Sequence, residues 1–169
     1  MKKIILNGNN GKGKFALVDD ENFEVLNKKK WHLSKLGYAY NQIYVKGSGR
    51  KNQKSIGTYM HRLIMEPSQN LDIDHINGDK LDNQRNNLRI VTMSQNLMNS
   101  KIRIDNRSGF KGVQWHKQTK SWRARIRVNN KSISLGLFKN LIEAALAYNN
   151  AAIRYFGEFA RLNIIPPKN

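Results

Sequence analysis

An adjacent aspartate and histidine, Asp74 and His75, precede two asparagines, Asn87 and Asn96, at spacings that suit metal-assisted phosphodiester hydrolysis. Mg²⁺ prefers oxygen ligands and keeps several waters, so Asp74 and the amide oxygen of Asn96 suffice when phosphate oxygens complete the shell. The ordinary pKa of histidine lies near neutrality, which suits His75 as the general base that takes a proton from water. The metal would stabilise charge on the phosphate and on the leaving 3′ oxygen.

The first predicted element around these residues is a short strand. Residues 71–76 alternate around apolar side chains and run into Asn77-Gly78, a strong turn signal. Asp74 and His75 therefore lie near the end of this strand, and both side chains can reach a site there.

A second strand and a helix are predicted to follow. After a polar loop, residues 88–92 have the composition of a strand. Thr92, with Gln95 three residues later, forms a capping box, so a helix should begin at Met93. Asn96 then lies about one turn into that helix. A strand, a loop, a strand and a helix can thus bring a carboxylate, an imidazole and a carboxamide together.

This pattern resembles the HNH (ββα-metal) endonucleases, in the group that carries Asn where the last His of the name would stand. The resemblance implies Asp74 and Asn96 as metal ligands, His75 as the base, and Asn87 as the residue that holds the His75 loop. Residues 60–64, Met-His-Arg-Leu-Ile, are similar to the family's lead-in segment. Both phosphate contact and local packing are open as roles for its histidine and arginine, which are His61 and Arg62.

Two other interpretations compete with a nuclease site. Asn, Asp and Gly fill turns for their backbone preferences alone, so any single one of these residues has an ordinary explanation. The complete set at this spacing favours the site. A zinc site is disfavoured because the chain has no Cys, and its four histidines, His32, His61, His75 and His116, lack the usual ligand spacing.

The charge of the chain predicts a nucleic-acid partner. Thirty Lys and Arg residues face 12 Asp and Glu, a formal net charge of +18. Residues 1–60 carry 12 basic and 4 acidic groups, residues 61–100 carry 4 and 5, and residues 101–169 carry 14 and 3. Basic flanks can hold DNA, while a nearly neutral centre does not repel its own cation.

Composition also limits the cellular setting. The absence of Cys excludes disulfides and thiolate zinc and suits the cytoplasm, here the cytoplasm of a cell that hosts a phage or mobile element. No apolar run predicts a signal peptide or a transmembrane helix. An anionic membrane would attract this charge, but no basic amphipathic helix is evident.

The C-terminal region contains a strand with a core side and an arginine side. In residues 121–128, Arg123, Arg125 and Arg127 share one face, and same-face neighbours lie roughly 6.5 to 7 Å apart. Such a row can follow a DNA duplex, although a merely solvated face is the alternative.

Two more strands and a helix are predicted around it. Residues 110–116 form a strand with Gln114 and His116 on one side, and residues 132–138 form another after a turn at 129–131. Asn140 caps a helix with Glu143 at the capping-box position. The predicted apolar stripe of this helix comprises Leu141, Ala144, Ala145, Tyr148, Ala152 and Tyr155.

Residues 107–163 resemble the plant ethylene-response-factor (AP-two) DNA-binding domain. The resemblance rests on the segment from Ser108 to Val113, on Trp122, on Leu135-Gly-Leu-Phe and on the alanine-rich helix. It implies a sheet that contacts the major groove. The predicted DNA contacts are Arg123, Arg125, Arg127, Gln114, His116, Lys111 and Arg62. Gln114, His116, Arg125 and Ser134 depart from the family pattern, so the fold is expected to carry over and the base preference is not.

The expected architecture is α+β. Residues 1–100 hold a β-rich region and an HNH core at about 58–100, followed by a linker at 101–107, the DNA-binding domain at 108–163 and a tail at 164–169. Residues 15–18 and 38–40 alternate like strands, while residues 28–30 and 46–54 have the composition of exposed loops. Trp31 is interpreted as a core residue.

Both resemblances in this order point to the HNH homing endonucleases of phages and other mobile elements. The predicted activity is site-selective cleavage of double-stranded DNA with Mg²⁺, or with Mn²⁺, leaving a 3′-hydroxyl and a 5′-phosphate. A monomer that nicks one strand is favoured, and a dimer is open. The alternatives are a non-catalytic DNA-binding regulator and a sequence-indifferent nuclease. Duplex RNA is disfavoured because its deep, narrow groove excludes the arginine strand.

Overall fold

The computed structural model describes residues 1–45 and 54–167 and divides into two compact units, Met1–Thr92 and Met93–Asn169. It confirms the predicted α+β class. The first unit contains, in chain order, β1 (Lys2–Ile5), β2 (Phe15–Val18), α1 (Asp20–Asn27), β3 (His32–Leu33), β4 (Ala39–Val45), β5 (Lys54–Tyr59), α2 (Met60–Met65), β6 (Asp72–His75) and β7 (Leu88–Val91).

Three small antiparallel sheets surround the core of this unit. They are β1-β2, β3-β4-β5 and β6-β7. Trp31 is fully buried in that core, as predicted, and its Nε1 donates to the carbonyl of Leu26 at 2.8 Å. Met60 and Leu88 join the same cluster, so the segment from β5 to β7 shares one core with the N-terminal strands.

The N-terminal strands also pair with the loop between β6 and β7. The backbone N–H of Leu17 donates to Leu81, and that of Asn83 donates to Leu17, each at 2.8 Å. A side-chain contact adds to this, because Asp19 accepts from the backbone N–H of Arg85 at 2.7 Å. The loop that follows His75 is therefore fixed by residues far from it in sequence.

The second unit contains α3 (Met93–Met98), β8 (Val113–His116), β9 (Ser121–Val128), β10 (Lys131–Phe138) and α4 (Leu141–Phe156). Its strands form one three-stranded antiparallel sheet, as predicted, and their order is β10-β9-β8. Asn129 and Asn130 both have positive φ, 48° and 62°, which is the backbone of a tight two-residue hairpin turn.

Helix α4 packs on this sheet through small residues. Asn140 caps it, since its side-chain oxygen accepts from the backbone N–H of Ile142 at 2.7 Å. Ala144 and Ala145 are fully buried against the sheet. A Cβ on Gly112 would lie 2.0 Å from the Tyr148 ring, so only glycine permits this close approach.

Several sequence-based boundaries were wrong. The strand predicted over 110–116 begins at Val113, because Gly109 and Gly112 adopt positive φ and turn the chain. Tyr155 is exposed, and the last buried position of α4 is Phe156. Helices α1 and α2 were not predicted.

The predicted loop at 46–54 falls mainly outside the described residues, except that Lys54 begins β5. The described residues include no helix long and apolar enough to cross a membrane.

Candidate functional site

Asp74 and His75 occupy the last two positions of β6, as the sequence predicts. β6 pairs with β7 so that Asp74 is opposite Arg89 and His75 is opposite Leu88. Both side chains are buried, with 6% of Asp74 and 4% of His75 exposed. Buried ionisable groups are costly unless something compensates them, so their neighbours define the site.

Arg89 compensates the charge of Asp74. Its Nε and Nη2 donate to Asp74 Oδ2 at 2.9 and 2.7 Å, and both side chains are largely buried. A carboxylate offers about four lone-pair sites, so an arginine and a cation can share it. The donor chemistry of Asp74 therefore fits a hard divalent ion.

Two aromatic rings, those of Tyr38 and His61, contact His75. The ring centroid of Tyr38 lies 5.8 Å from that of His75, and His61 meets His75 edge-on at 5.2 Å. His61 in turn contacts Tyr38 at 5.0 Å and stacks on Tyr59 at 5.5 Å with an interplanar angle of 7°. The position predicted for the base is thus bordered by rings from two segments of the chain, one at Tyr38 and one at residues 59–61.

The pKa values of this cluster favour neutral rings. Burial lowers the pKa of His75, opposed by the Asn83 side chain and by the carboxylates of Asp74, Asp79 and Asp82. Burial, followed by the proximity of His75 and Arg62, lowers the pKa of His61 to about 3. Burial also raises the pKa of Tyr38, helped by the charge of Asp74. Near neutral pH, the His75 imidazole can accept a proton.

Asn87 joins the two ends of the loop that follows His75. Its side-chain oxygen accepts from the backbone N–H of Asn77 at 3.0 Å, and its amide donates to the carbonyl of Asp82 at 2.8 Å. Its backbone carbonyl accepts from Ile76 at 2.9 Å. These bonds fix the loop immediately after the catalytic candidates.

The second predicted metal ligand, Asn96, lies half-buried in α3. Asp74 belongs to the unit Met1–Thr92 and Asn96 to Met93–Asn169, so their pairing as ligands stays a prediction. Among the described residues, no cluster of three or more His, Cys, Asp or Glu could hold a metal. A magnesium ion bound by one carboxylate, one amide, phosphate and water does not require one.

Arg62 is bound within its own unit. Its Nη2 lies 3.3 Å from the carbonyl of Leu71 and 3.5 Å from Asp72 Oδ1, and more than a third of its side chain is exposed. Of the two roles left open for Arg62, these contacts favour local packing.

The predicted arginine face lies on β9. Arg125 and Arg127 are exposed, and opposite them on β10 stand Ser134 and Ser132, which leave the guanidinium groups uncovered. Arg123 is partly covered, and its Nη2 donates to Gln114 Oε1 at 3.3 Å. No described carboxylate forms an ion pair with the three arginines.

Two other predicted DNA contacts have partners within the second unit. His116 Nδ1 lies 2.8 Å from Thr119 Oγ1. Lys111 Nζ donates to the carbonyls of Met98 at 2.6 Å and Ser100 at 2.8 Å, and burial lowers the pKa of Lys111 to about 8. This arrangement favours a structural role for Lys111 over a phosphate contact.

Comparisons with known proteins identify both regions. Residues 58–98 match the HNH endonuclease model, and residues 108–158 match that of the AP2 domain. An uncharacterised HNH endonuclease of Acanthamoeba polyphaga mimivirus is 32% identical over 157 residues, covering 92% of this chain and 78% of that protein. The chain belongs to the HNH endonuclease family. Protein 3.8 of Escherichia phage T7 is 32% identical to this chain over 89 residues, which cover 53% of the chain and 73% of the phage protein.

Membership of the HNH endonuclease family supports nuclease activity, and the two domains together imply DNA binding. The HNH match includes Asp74, His75, Asn87 and Asn96, and the AP2 match includes the arginine face. HNH nucleases generally depend on a divalent metal.

Sequence reasoning gave no role to four residues around the HNH site: Tyr38, Lys80, Asn83 and Arg89. The role of Arg89 could have been inferred from the sequence. If the two predicted strands pair as an antiparallel hairpin, Arg89 is placed opposite Asp74, as the structure shows. Asn83 is fully buried, but an asparagine in a polar loop gives no sign of burial. Tyr38 and Lys80 reach the site only through tertiary packing.

Proposed function

We propose that this HNH endonuclease hydrolyses phosphodiester bonds of double-stranded DNA at selected sites, with one divalent cation and His75 as general base. The observation that carries the proposal is the arrangement of side chains at the end of β6, within the segment that matches the HNH model. There Asp74 and His75 stand side by side and buried, and Asn87 closes the loop that follows them.

His75 prepares the nucleophile. Its neutral imidazole takes a proton from a water molecule, and the resulting hydroxide attacks phosphorus in line. The bond from phosphorus to the 3′ oxygen breaks and that oxygen takes up a proton from solvent, which leaves a 3′-hydroxyl and a 5′-phosphate. Asn87 positions His75 by fixing the loop, and Arg89 keeps the Asp74 carboxylate in place.

Asp74 and Asn96 would hold the cation, Mg²⁺ or Mn²⁺. When bound, such a cation stabilises negative charge on the phosphate and on the leaving oxygen. The carboxylate of Asp74 and the amide of Asn96 both offer oxygen ligands, which suits a hard ion.

Site selection is assigned to the sheet of the AP2 domain. Arg125 and Arg127 would bind phosphates or guanine edges, with Arg123, Gln114 and His116 beside them. The exposure of Arg125 and Arg127 and the small serines opposite support this role.

The wider assignment is a homing endonuclease that acts in the host cell of a phage or other mobile element. The order of nuclease and DNA-binding domains supports it, as does the similarity to proteins of a giant virus and a phage. With one site per chain, a monomer would nick one strand, and a double-strand break would need a dimer or a second binding event.

The deciding experiment maps DNA ends by sequencing after incubation of linear and supercoiled host DNA with Mg²⁺. Wild type is compared with His75→Ala and with His32→Ala. His32 belongs to the same unit but lies outside the group of rings formed by Tyr38, Tyr59, His61 and His75. Discrete ends from wild type and His32→Ala, absent with His75→Ala, are expected. Tight binding without His75-dependent ends would indicate a regulator, and ends spread evenly over the genome would indicate a sequence-indifferent nuclease.

A further inference from the structure

Tyr38 lies outside both segments that match family models, yet its ring contacts the proposed base. We propose that Tyr38 is a positioning residue that holds the His75 ring, so that the N-terminal region completes the nuclease site. The inference rests on the proposed function of His75. It assigns a role in the reaction to residues that precede the HNH segment.

The backbone of Tyr38 is fixed by a turn between β3 and β4. Its N–H donates to Ser34 Oγ at 3.0 Å, and its carbonyl accepts from the N–H of Ser34 at 2.9 Å. Gly37, with φ 86°, supplies the left-handed conformation that this turn needs. The direction in which the Tyr38 side chain leaves the backbone is therefore set locally.

The Tyr38 ring bridges the two histidines of the site. Its centroid lies 5.0 Å from His61 and 5.8 Å from His75, and it meets Tyr59 edge-on at 5.6 Å. Because His61 also meets His75 at 5.2 Å, each of the three rings Tyr38, His61 and His75 contacts the other two. Tilted and edge-to-face contacts at these distances are attractive and depend on ring orientation.

A lysine closes the arrangement from the side of the β6–β7 loop. Lys80 Nζ lies 4.5 Å above the Tyr38 ring and donates to the carbonyl of Leu36 at 2.8 Å. The same ammonium thus contacts the ring of Tyr38 and the backbone of its turn. The turn and the loop that follows His75 are held together, which limits movement of Tyr38 away from the base.

The two rings that contact His75, those of Tyr38 and His61, restrain it without themselves carrying charge. His61 is uncharged near neutral pH because its pKa is about 3, and burial keeps the Tyr38 hydroxyl protonated by raising its pKa. A general base acts only from a correct position and orientation relative to its water. Loss of the Tyr38 ring would let the imidazole rotate or shift, slowing proton transfer while leaving the DNA-binding sheet unchanged.

The test uses the full chain as wild type, Tyr38→Leu, Tyr38→Phe and a matched control, Tyr40→Leu. Tyr40 is an aromatic residue of the same hairpin that contacts His32 and Tyr59. Single-turnover cleavage of a DNA fragment cut by the wild type is measured at saturating protein, alongside the Kd for that fragment. Tyr38→Leu should lower the rate on the order of tenfold to hundredfold, with Kd within about twofold of wild type.

Tyr38→Phe should recover most of the lost rate, because the ring makes the contacts. The inference is overturned when Tyr38→Leu cleaves as fast as Tyr40→Leu, or when Tyr38→Phe is as slow as Tyr38→Leu. Cleavage by His75→Ala equal to wild type would instead remove the proposed function, and the inference with it.

A second measurement does not depend on the folding of any variant. Nuclear Overhauser contacts between the ring protons of Tyr38 and of His75 in the wild type support the arrangement. Their absence overturns it. In a folded Tyr38→Leu protein, the ring-proton shifts of His75 should move, whereas Tyr40→Leu should leave them in place.

Discussion

Arg89 donates both Nε and Nη2 to the same oxygen of Asp74, and the pair is largely buried between β6 and β7. Removing one partner of a buried pair leaves the other charge uncompensated. We expect Arg89→Met to lower the free energy of unfolding by about 3 to 5 kcal/mol in urea denaturation. The control is Arg85→Met, whose ion pair with Glu21 is exposed. Equal effects of the two substitutions would contradict a special role for the buried pair.

The loop after His75 should depend on Asn87. Asn87→Ala removes the acceptor for the N–H of Asn77 and the donor to the carbonyl of Asp82. We expect faster amide exchange at Asn77 and slower cleavage, with DNA affinity preserved. Asn86→Ala is the matched control, because Asn86 is an exposed neighbour. Unchanged exchange at Asn77 in Asn87→Ala would show that the side chain does not hold the loop.

The arginine face makes a prediction about salt. Each phosphate contact contributes a slope of about −0.9 to the dependence of log K on log salt concentration. The double variant Arg125→Ala, Arg127→Ala should weaken DNA binding and make that slope less steep by about 1 to 2. Arg154→Ala, an exposed arginine on α4, should leave the slope unchanged. If the double variant has the same slope of log K against log salt concentration as the wild type, the phosphate contacts are made by other residues.

The sequence predicted the parts of this protein that depend on local chemistry. Asn140 caps α4, because capping depends on residues within one turn, and α3 begins at Met93 as predicted. The two strands that carry Asp74 and Leu88 follow from short apolar runs and an Asn-Gly turn.

Reasoning from local sequence could not predict the tertiary contacts. Tyr38 and His75 are separated by a long stretch of chain, and no periodicity joins them. The carbonyls that accept from Lys111 belong to Met98, at the end of α3, and to Ser100. No sequence pattern links this lysine, which was predicted to contact phosphate, to those two carbonyls. Tyr155, three residues after Ala152, was predicted to lie on the apolar stripe of α4. The buried position is instead Phe156, four residues after Ala152, and the two spacings cannot be told apart from the sequence alone.

Lys111 should make stability depend on pH. Its folded pKa of about 8 lies below the ordinary value of 10.5, so between these values the unfolded chain binds more protons. The free energy of unfolding should therefore rise from pH 8 to pH 10.5, relative to a variant without this group. Urea denaturation of wild type and Lys111→Met across this range measures the difference. Lys117 is exposed, so Lys117→Met should show the same pH dependence of stability as the wild type. If Lys111→Met also shows that dependence, the stability is not linked to the titration of Lys111.

Removal of divalent metal should separate binding from cleavage. The arginine face needs no cation to attract phosphate, whereas hydrolysis needs charge stabilisation on the leaving oxygen. We expect chelation to abolish cleavage, Mg²⁺ or Mn²⁺ to restore it, and DNA affinity to remain within about twofold throughout. Asp74→Asn should require more Mg²⁺ for half-maximal cleavage, because the amide is a weaker ligand than the carboxylate. The control is Asp79→Asn, since the Asp79 carboxylate lies in the β6–β7 loop and accepts from the backbone N–H of Leu81. Cleavage that persists after chelation would rule out the metal-assisted mechanism, and an unchanged Mg²⁺ requirement in Asp74→Asn would move the cation to other ligands.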